Sequence, residues 1–384
     1  MASVWADLVG QERAIAVLQR AVAGGRHATS HAWLFAGPPG SGRSNAARAF
    51  AAALQCPRGG CGKCGECRTT LSGAHPDVTL LRTEQLSIGV EEVRELVSRA
   101  NVAPIKRRYQ IVVVEDADRI TERGADALLK AIEEPADRTI WLLCAPSADD
   151  VIVTIRSRCR ELRLVTPSDE AVTRLLIERD AISPELAAHC AKAAQGHVGR
   201  ARALARSDEA RSRRSRILDY PLRLITLTDC LTAAENLVAA SADEAEQVTA
   251  ELDARELADL QTAMGASGRG AKQRHAQAAI RDLQDQHKLR RKRLQRDALD
   301  RVLTEFTTFY RDVLAVQTAP GVALVNADRA DDVATAAKRC TPEDVVGGLD
   351  AILAARTNLE GNVAPQLAME SLLISLSQVT RRLA

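Results

Sequence analysis

An α/β domain followed by helical domains is what the sequence predicts, on three observations. Up to about residue 165, short apolar runs alternate with amphipathic helical patterns, the signature of a parallel sheet with crossover helices. Beyond about residue 216 no convincing strand occurs. Alanine, leucine and arginine dominate, a helix-forming composition that argues against an all-β architecture. Within the first block, residues 33–36, 110–114 and 139–144 read as buried strands, and 13–22, 44–54, 90–100 and 124–132 as the helices between them. Pro167 closes the block. Residues 168–206 read as helical with Gly196 and Gly199 as breaks, and the polar stretch 206–216 as a linker. Helical patterns then cover 217–264, 271–316 and 331 to the end, interrupted at 265–270 and 320–321. The expected organisation of the 384 residues is an α/β domain over 1–166, a small helical domain over 167–206, a linker over 207–216 and a larger helical domain over 217–384.

Composition narrows the function. The formal net charge is +2 and only 3% of residues are aromatic, too few for stacking successive single-stranded bases and too little basic excess for a dedicated DNA-coating protein. No stretch of about 18 uncharged apolar residues is present, so no membrane span is expected and the location is expected to be cytoplasmic. Thiols stay reduced there, so the nine cysteines are read as metal chemistry or packing rather than as disulfides.

Residues 37–44 read GPPGSGRS, directly after an apolar strand and before an Ala-rich helix. That is the context of a P-loop, in which Gly37, Gly40 and Gly42 let backbone amides wrap a phosphate and Ser44 opens the helix. Position 43 departs from the motif. Arg43 stands where a lysine ammonium would reach the phosphates, and the two are not interchangeable at such a site. ATP or ADP bound to the loop, and a glycine-rich turn without nucleotide, both remain open. After the apolar strand 110–114 come Glu115 and Asp116, the reverse of the Asp-Glu order that would organise Mg²⁺ and the attacking water. Moving each carboxylate by one methylene displaces its target by roughly an ångström, enough to cost on the order of a hundredfold in rate. Hydrolysis is therefore expected to be weak or absent.

Cys56, Cys61, Cys64 and Cys67 form C-x4-C-x2-C-x2-C with glycines between them. Four closely spaced thiolates suit a closed tetrahedral structural Zn²⁺ site. An iron-sulfur cluster shares part of the spacing but takes its fourth ligand from far away, and free thiols are the third reading. Arg158, in the run TIRSRC at 154–159, could reach a γ-phosphate in a neighbouring subunit, although Arg156, Arg160 and Arg163 nearby could equally make one charged face.

Taken in order, WADLVGQERAIAVLQRAV at 5–22, HAWLFAGPPGSGR at 31–43, the four cysteines, SGAHPDV at 72–78, VVVEDADR at 112–119, ALLKAIEEP at 127–135, TIRSRC at 154–159 and NVAPQLAMESLL at 362–373 resemble a bacterial clamp-loader subunit of the AAA+ class. The resemblance implies an AAA+ P-loop sheet with a zinc insert, a helical lid and a C-terminal helical collar. In that family the gamma/tau subunits hydrolyse ATP with an intact lysine and an Asp-Glu pair, whereas the delta-prime branch carries altered versions and keeps the Ser-Arg-Cys arginine. Arg43 and the Glu115-Asp116 order favour the delta-prime branch, with a gamma/tau-like ATPase as the alternative. What the branch implies is a stator in a heteropentamer with gamma/tau and delta, presenting Arg158 to a neighbour's ATP while the complex opens the beta sliding clamp and places it on primed DNA. The family's second sensing arginine sits in a Gly-Ser-x-Arg stretch. Here residues 196–200 read GHVGR, one residue off, so that role does not pass to Arg200. The basic segment 271–300, with nine Lys and Arg against four Asp, is read mainly as a solvated face or subunit contact, with a DNA-facing role as the competing reading.

Overall fold

The computed structural model describes residues 3–24, 30–83, 87–106, 108–264, 271–319, 321–361 and 363–381. The chain divides into two units, 1–206 and 207–384. In the first, β1 (Ala32–Ala36), β2 (Val78–Leu81), β3 (Gln110–Val114), β4 (Thr139–Ala145) and β5 (Arg160–Arg163) form one parallel sheet in the order β2-β3-β4-β1-β5. β1 lies inside the sheet, with Trp33 opposite Leu142 on one side and Arg160 on the other. Strand side chains alternate, so Trp33 and Phe35 pack with Phe50 on one face while Leu34, Val112, Val114 and Leu143 fill the other. Both faces are buried, which is why β1, β3 and β4 read as unbroken apolar runs. The crossovers are α1 (Glu12–Ala23), α2 (Arg43–Gln55), α3 (Gly65–Ser72), α4 (Val90–Ala100), α5 (Glu122–Glu133) and the short α6 (Val153–Arg156). α7 (Asp169–Asp180), α8 (Pro184–Ala194) and α9 (Val198–Arg206) complete the unit.

Three expectations change. β2, β5 and α3 were not foreseen: β2 (VTLL) and β5 (RELR) are sheet edges in which only Val78 and Leu162 are buried, so neither is an unbroken apolar run like a strand covered on both faces. Gly199 is not a break, since it lies inside α9; the turn before that helix is made at Gly196, whose φ is +78°. The stretch 207–216 is not a linker. It is the first part of α10 (Asp208–Arg223), capped by the Ser207 side chain accepting from the Ala210 amide. Its polarity is paired rather than solvated, because Arg214 is buried, approaching Glu305 at 3.2 Å and donating to the Asn326 side chain.

The second unit is helical throughout its described residues: α10, α11 (Leu227–Met264), α12 (Ala271–Thr318), α13 (Ala330–Ala337), α14 (Pro342–Glu360) and α15 (Pro365–Arg381). Leu218, Leu303, Phe306, Phe309, Val313, Met369 and Leu373 are core residues. Buried Asp312 accepts the amides of Val325 (3.0 Å) and Asn326 (2.7 Å) and the Asn326 side-chain amide (2.9 Å), tying the segment before α13 to α12. The basic run of α12 faces an acidic stretch of α11. Arg290 bonds Asp253 at 2.8 Å and Glu256 at 3.0 Å, and His287 meets Glu256 at 2.9 Å. Lys288 pairs with Asp285 at 2.9 Å. Among the described residues, Arg290, His287 and Lys288 thus find acidic partners inside the unit. The breaks read at 265–270 and at Pro320, and Asn362 of the C-terminal motif, lie outside the described residues. No helix among the described residues is long and apolar enough to cross a membrane.

Candidate nucleotide loop, metal centre and rim arginine

β1 delivers the loop 37–42 and α2 begins on Arg43, the strand-loop-helix arrangement expected of a P-loop. Gly37, Gly40 and Gly42 shape the loop and Ser44 follows, half-buried, in the first turn of α2. Instead of pointing outward, the Arg43 guanidinium turns back and its Nη1 donates to the carbonyl of Gly37. Burial lowers its pKa against the pull of the Asp118 and Asp116 carboxylates. Gly40 has φ +84°, and a Cβ there would lie 2.4–2.6 Å from the Cγ, Cα and Cβ of His197. The turn between α8 and α9 therefore rests directly on the loop. Burial, then the charges of Arg200 and Arg43, hold the His197 imidazole below its ordinary value, and its Nδ1 accepts the Arg200 amide at 3.2 Å. On the other side, buried Gln11 donates to the carbonyls of Ser41 (3.1 Å) and Val165 (2.7 Å) and accepts the Val165 amide (3.2 Å). Glu115, at the end of β3, bonds Arg48 of α2 at 2.7 Å, with Arg82 at 3.9 Å. Asp116 begins the turn after it, its carbonyl accepting the Arg119 amide at 3.0 Å.

The four cysteines of the insert converge. The sulfurs of Cys56, Cys61, Cys64 and Cys67 lie within 4.8 Å of one another, all free of disulfides, with Cys56 and Cys64 Sγ 3.7 Å apart. A tetrahedron with Zn–S near 2.3 Å has sulfur-sulfur edges of about 3.8 Å, so the spacing fits this ion. Amides already point at the sulfurs: those of Arg58 (3.3 Å) and Cys61 (3.4 Å) at Cys56, and that of Cys67 (3.5 Å) at Cys64. The Lys63 and Cys64 amides bring the Cys61 thiol down to about 6, while burial drives Cys67 upward. α3 starts at Cys64, whose sulfur caps it, so the insert is a knuckle followed by a helix.

The HPD run beside it is a strap. Asp77 is 1% exposed, and its two oxygens accept the amides of Ile105 and Lys106, each at 2.8 Å. His75 accepts the Asp77 amide on Nδ1 (3.0 Å), which leaves Nε2 to donate to Glu66 of α3 (2.7 Å).

Arg158 lies on the turn after α6, 40% exposed by side chain, with Glu133 beside it at 2.5 Å. Its partners are Glu133, Thr154 and Ser157, none of which belongs to the loop 37–44 or the four-cysteine insert. Gln11, His197 and Glu133 were not singled out from the sequence as site residues. All three reach their partners only through the fold, Gln11 meeting Val165 and His197 meeting Gly40 across more than 150 residues of chain.

Comparisons with known proteins bear on this arrangement. The DNA polymerase III delta subunit family matches residues 10–168, and its C-terminal counterpart matches 281–378, together more than half of the chain. The chain belongs to the clamp-loader subunit family of DNA polymerase III. Among its relatives, the delta-prime subunit of Bacillus subtilis is 27% identical over 352 residues, covering 91% of each chain. The gamma/tau subunit of Mycobacterium tuberculosis is 36% identical over 170 residues, which are 42% of this chain and 29% of that one. The clamp-loader subunit thus spans under a third of the length of these gamma/tau relatives. The delta-prime subunit of Pseudomonas aeruginosa is 37% identical over 142 residues, 35% of this chain and 43% of that one. A solved gamma subunit-related protein from Thermotoga maritima aligns over 96% of this chain and 99% of its own at 15% identity, with a TM-score of 0.40.

Proposed function

We propose that this chain is a delta-prime-type stator of the DNA polymerase III clamp loader, one that assembles with gamma/tau and delta subunits and turns over little or no ATP itself. It offers Arg158 in trans to ATP held by a neighbouring gamma/tau subunit, and the assembled ring opens the beta sliding clamp and loads it on primed DNA. The observation that carries this reading is the Arg43 guanidinium bonded to the carbonyl of Gly37 within its own loop. A phosphate entering the loop has to displace that bond. Glu115 adds to the argument, since a carboxylate committed to Arg48 at 2.7 Å is neutralised before any Mg²⁺ arrives. The near full-length likeness to a delta-prime subunit supports the same branch. For the insert, the reading is a structural Zn²⁺ on Cys56, Cys61, Cys64 and Cys67: four sulfur ligands leave no open position, so the ion would brace the insert and do no chemistry.

The test is ATP turnover by the purified chain and by its mixture with cognate gamma/tau and delta. Little turnover alone, and DNA-stimulated turnover at the neighbouring site in the mixture that falls by about 10³-fold or more in Arg158→Ala, is expected of an arginine finger. Steady turnover by the isolated chain would instead establish the second reading, a gamma/tau-like ATPase, which the 36% identity to gamma/tau over 170 residues supports. Arg43→Lys separates the two further, because on the stator reading the lysine alone does not restore hydrolysis while Glu115 remains tied to Arg48.

A further inference from the structure

Arg158 is anchored on one side and open on the other. Its Nε and Nη2 both reach a single oxygen, Oε1 of Glu133, at 2.6 and 2.5 Å. Nη1 donates to the carbonyl of Thr154 at 2.9 Å and lies 3.2 Å from Oγ of Ser157. Those two acceptors are 3.1 Å from each other, close enough for one Nη1 hydrogen to serve both. A guanidinium carries five N–H groups in a rigid plane. With one Nη1 hydrogen shared in this way, the contacts use the hydrogen on Nε, one on Nη2 and one on Nη1. The two that remain lie along the Nη1–Nη2 edge, a pair suited to gripping phosphate oxygens bidentately. The anchors come from regular structure: Glu133 is the last residue of α5, Thr154 lies in α6 and Ser157 caps it.

We propose that Glu133 is a positioning residue for Arg158, holding the side edge of the guanidinium so that its end edge is presented to the γ-phosphate of ATP on a neighbouring subunit. This rests on the trans-arginine reading above. Two effects of Glu133 oppose each other. Its negative charge offsets the arginine's, and its grip removes the rotamer freedom of a long side chain before the phosphate is met. The side chains are 40% and 46% exposed, so water screens the Coulomb attraction and a pair of this kind binds weakly. Orientation is less sensitive to screening, because it depends on the direction of two N–H bonds to one oxygen. Orientation therefore wins, and Glu133 assists the finger rather than sequestering it.

The test uses the complete complex of this chain with cognate gamma/tau and delta subunits, assayed for DNA- and clamp-stimulated ATP turnover. Glu133→Ala is expected to lower kcat about 10-fold, the order of freezing one arginine side chain, with KM for ATP unchanged. Glu133→Gln keeps an acceptor oxygen in the same place and should retain most of the rate. On an Arg158→Ala background, Glu133→Ala should have no further effect, as expected for two residues acting as a unit. An inactive Arg158→Ala complex beside a fully active Glu133→Ala complex overturns this inference alone, as does a Glu133→Ala loss that adds in full to that of Arg158→Ala. Full turnover in the Arg158→Ala complex overturns the trans-arginine reading and this inference with it.

Discussion

Replacing Asp77 by asparagine separates a structural role for the HPD run from a catalytic one. Each oxygen of this buried carboxylate accepts one backbone amide at 2.8 Å, from Ile105 and from Lys106. An asparagine keeps one acceptor and turns an NH2 group toward the other amide, and flipping it only exchanges which amide is opposed. One hydrogen bond to a charged acceptor is lost, at about 1.5–3 kcal/mol, and a buried donor is left facing a donor, so the cost is about 3 kcal/mol. Trp5, Trp33 and Trp141 are the only tryptophans, and all three are buried in the first unit, so tryptophan fluorescence follows the unfolding of that unit alone. With a urea slope of about 2–3 kcal/mol/M, the midpoint should fall by about 1 M. Amide exchange at Ile105 and Lys106 should quicken together with it. A midpoint shift below about 0.3 M with exchange at both amides unchanged would refute the strap.

Three further outcomes are expected. Gly40→Ala should destabilise the first unit by about 2–4 kcal/mol, through strain at φ +84° and overlap with His197; His197→Ala should not rescue it, because the His197 Cα itself lies 2.5 Å from the new Cβ. Full rescue in urea unfolding would contradict that geometry. Treatment with a strong zinc chelator should remove one zinc per chain, as read by elemental analysis, and lower the same fluorescence-detected midpoint; a chain that purifies without zinc would refute the metal assignment. Because the folded His197 has a pKa below its ordinary 6.5, the unfolded chain takes up a proton that the folded chain resists. Its contribution to stability is present at neutral pH and is lost as pH falls below 6.5 toward the folded value, so His197→Gln should flatten the pH dependence of the midpoint in that window.

What could be read from the sequence is what adjacent residues determine. β1, β3 and β4 announced themselves because both faces of each strand are buried. β5, with the sequence RELR, did not, because at an edge one buried Leu162 suffices. The cysteine spacing anticipated the convergence of the four sulfurs, since turns of two to four residues leave little else for them to do. The polar run at 207–216 misled for a physical reason: buried Arg214 looks like a solvated charge until Glu305 and Asn326, far along the chain, are brought to it. The departures at Arg43 and at Glu115-Asp116 from the P-loop pattern were legible in the sequence. The contacts made around them, Arg43 on Gly37, Glu115 on Arg48 and His197 on Gly40, belong to pairs that only the folded chain assembles.

The loop at the end of β1 has one more implication. Gln11 and Arg43 bond it and His197 packs against it, all parts of the protein itself, and contacts of that kind are not consumed and renewed as a phosphate is. β1 is hydrogen-bonded along its length to β5, the strand that follows directly on the turn carrying Arg158. A strand whose far end is pinned by permanent contacts keeps its address while its neighbours cycle. On the stator reading proposed above, such a strand would serve as the fixed mark against which the other subunits' displacements are made.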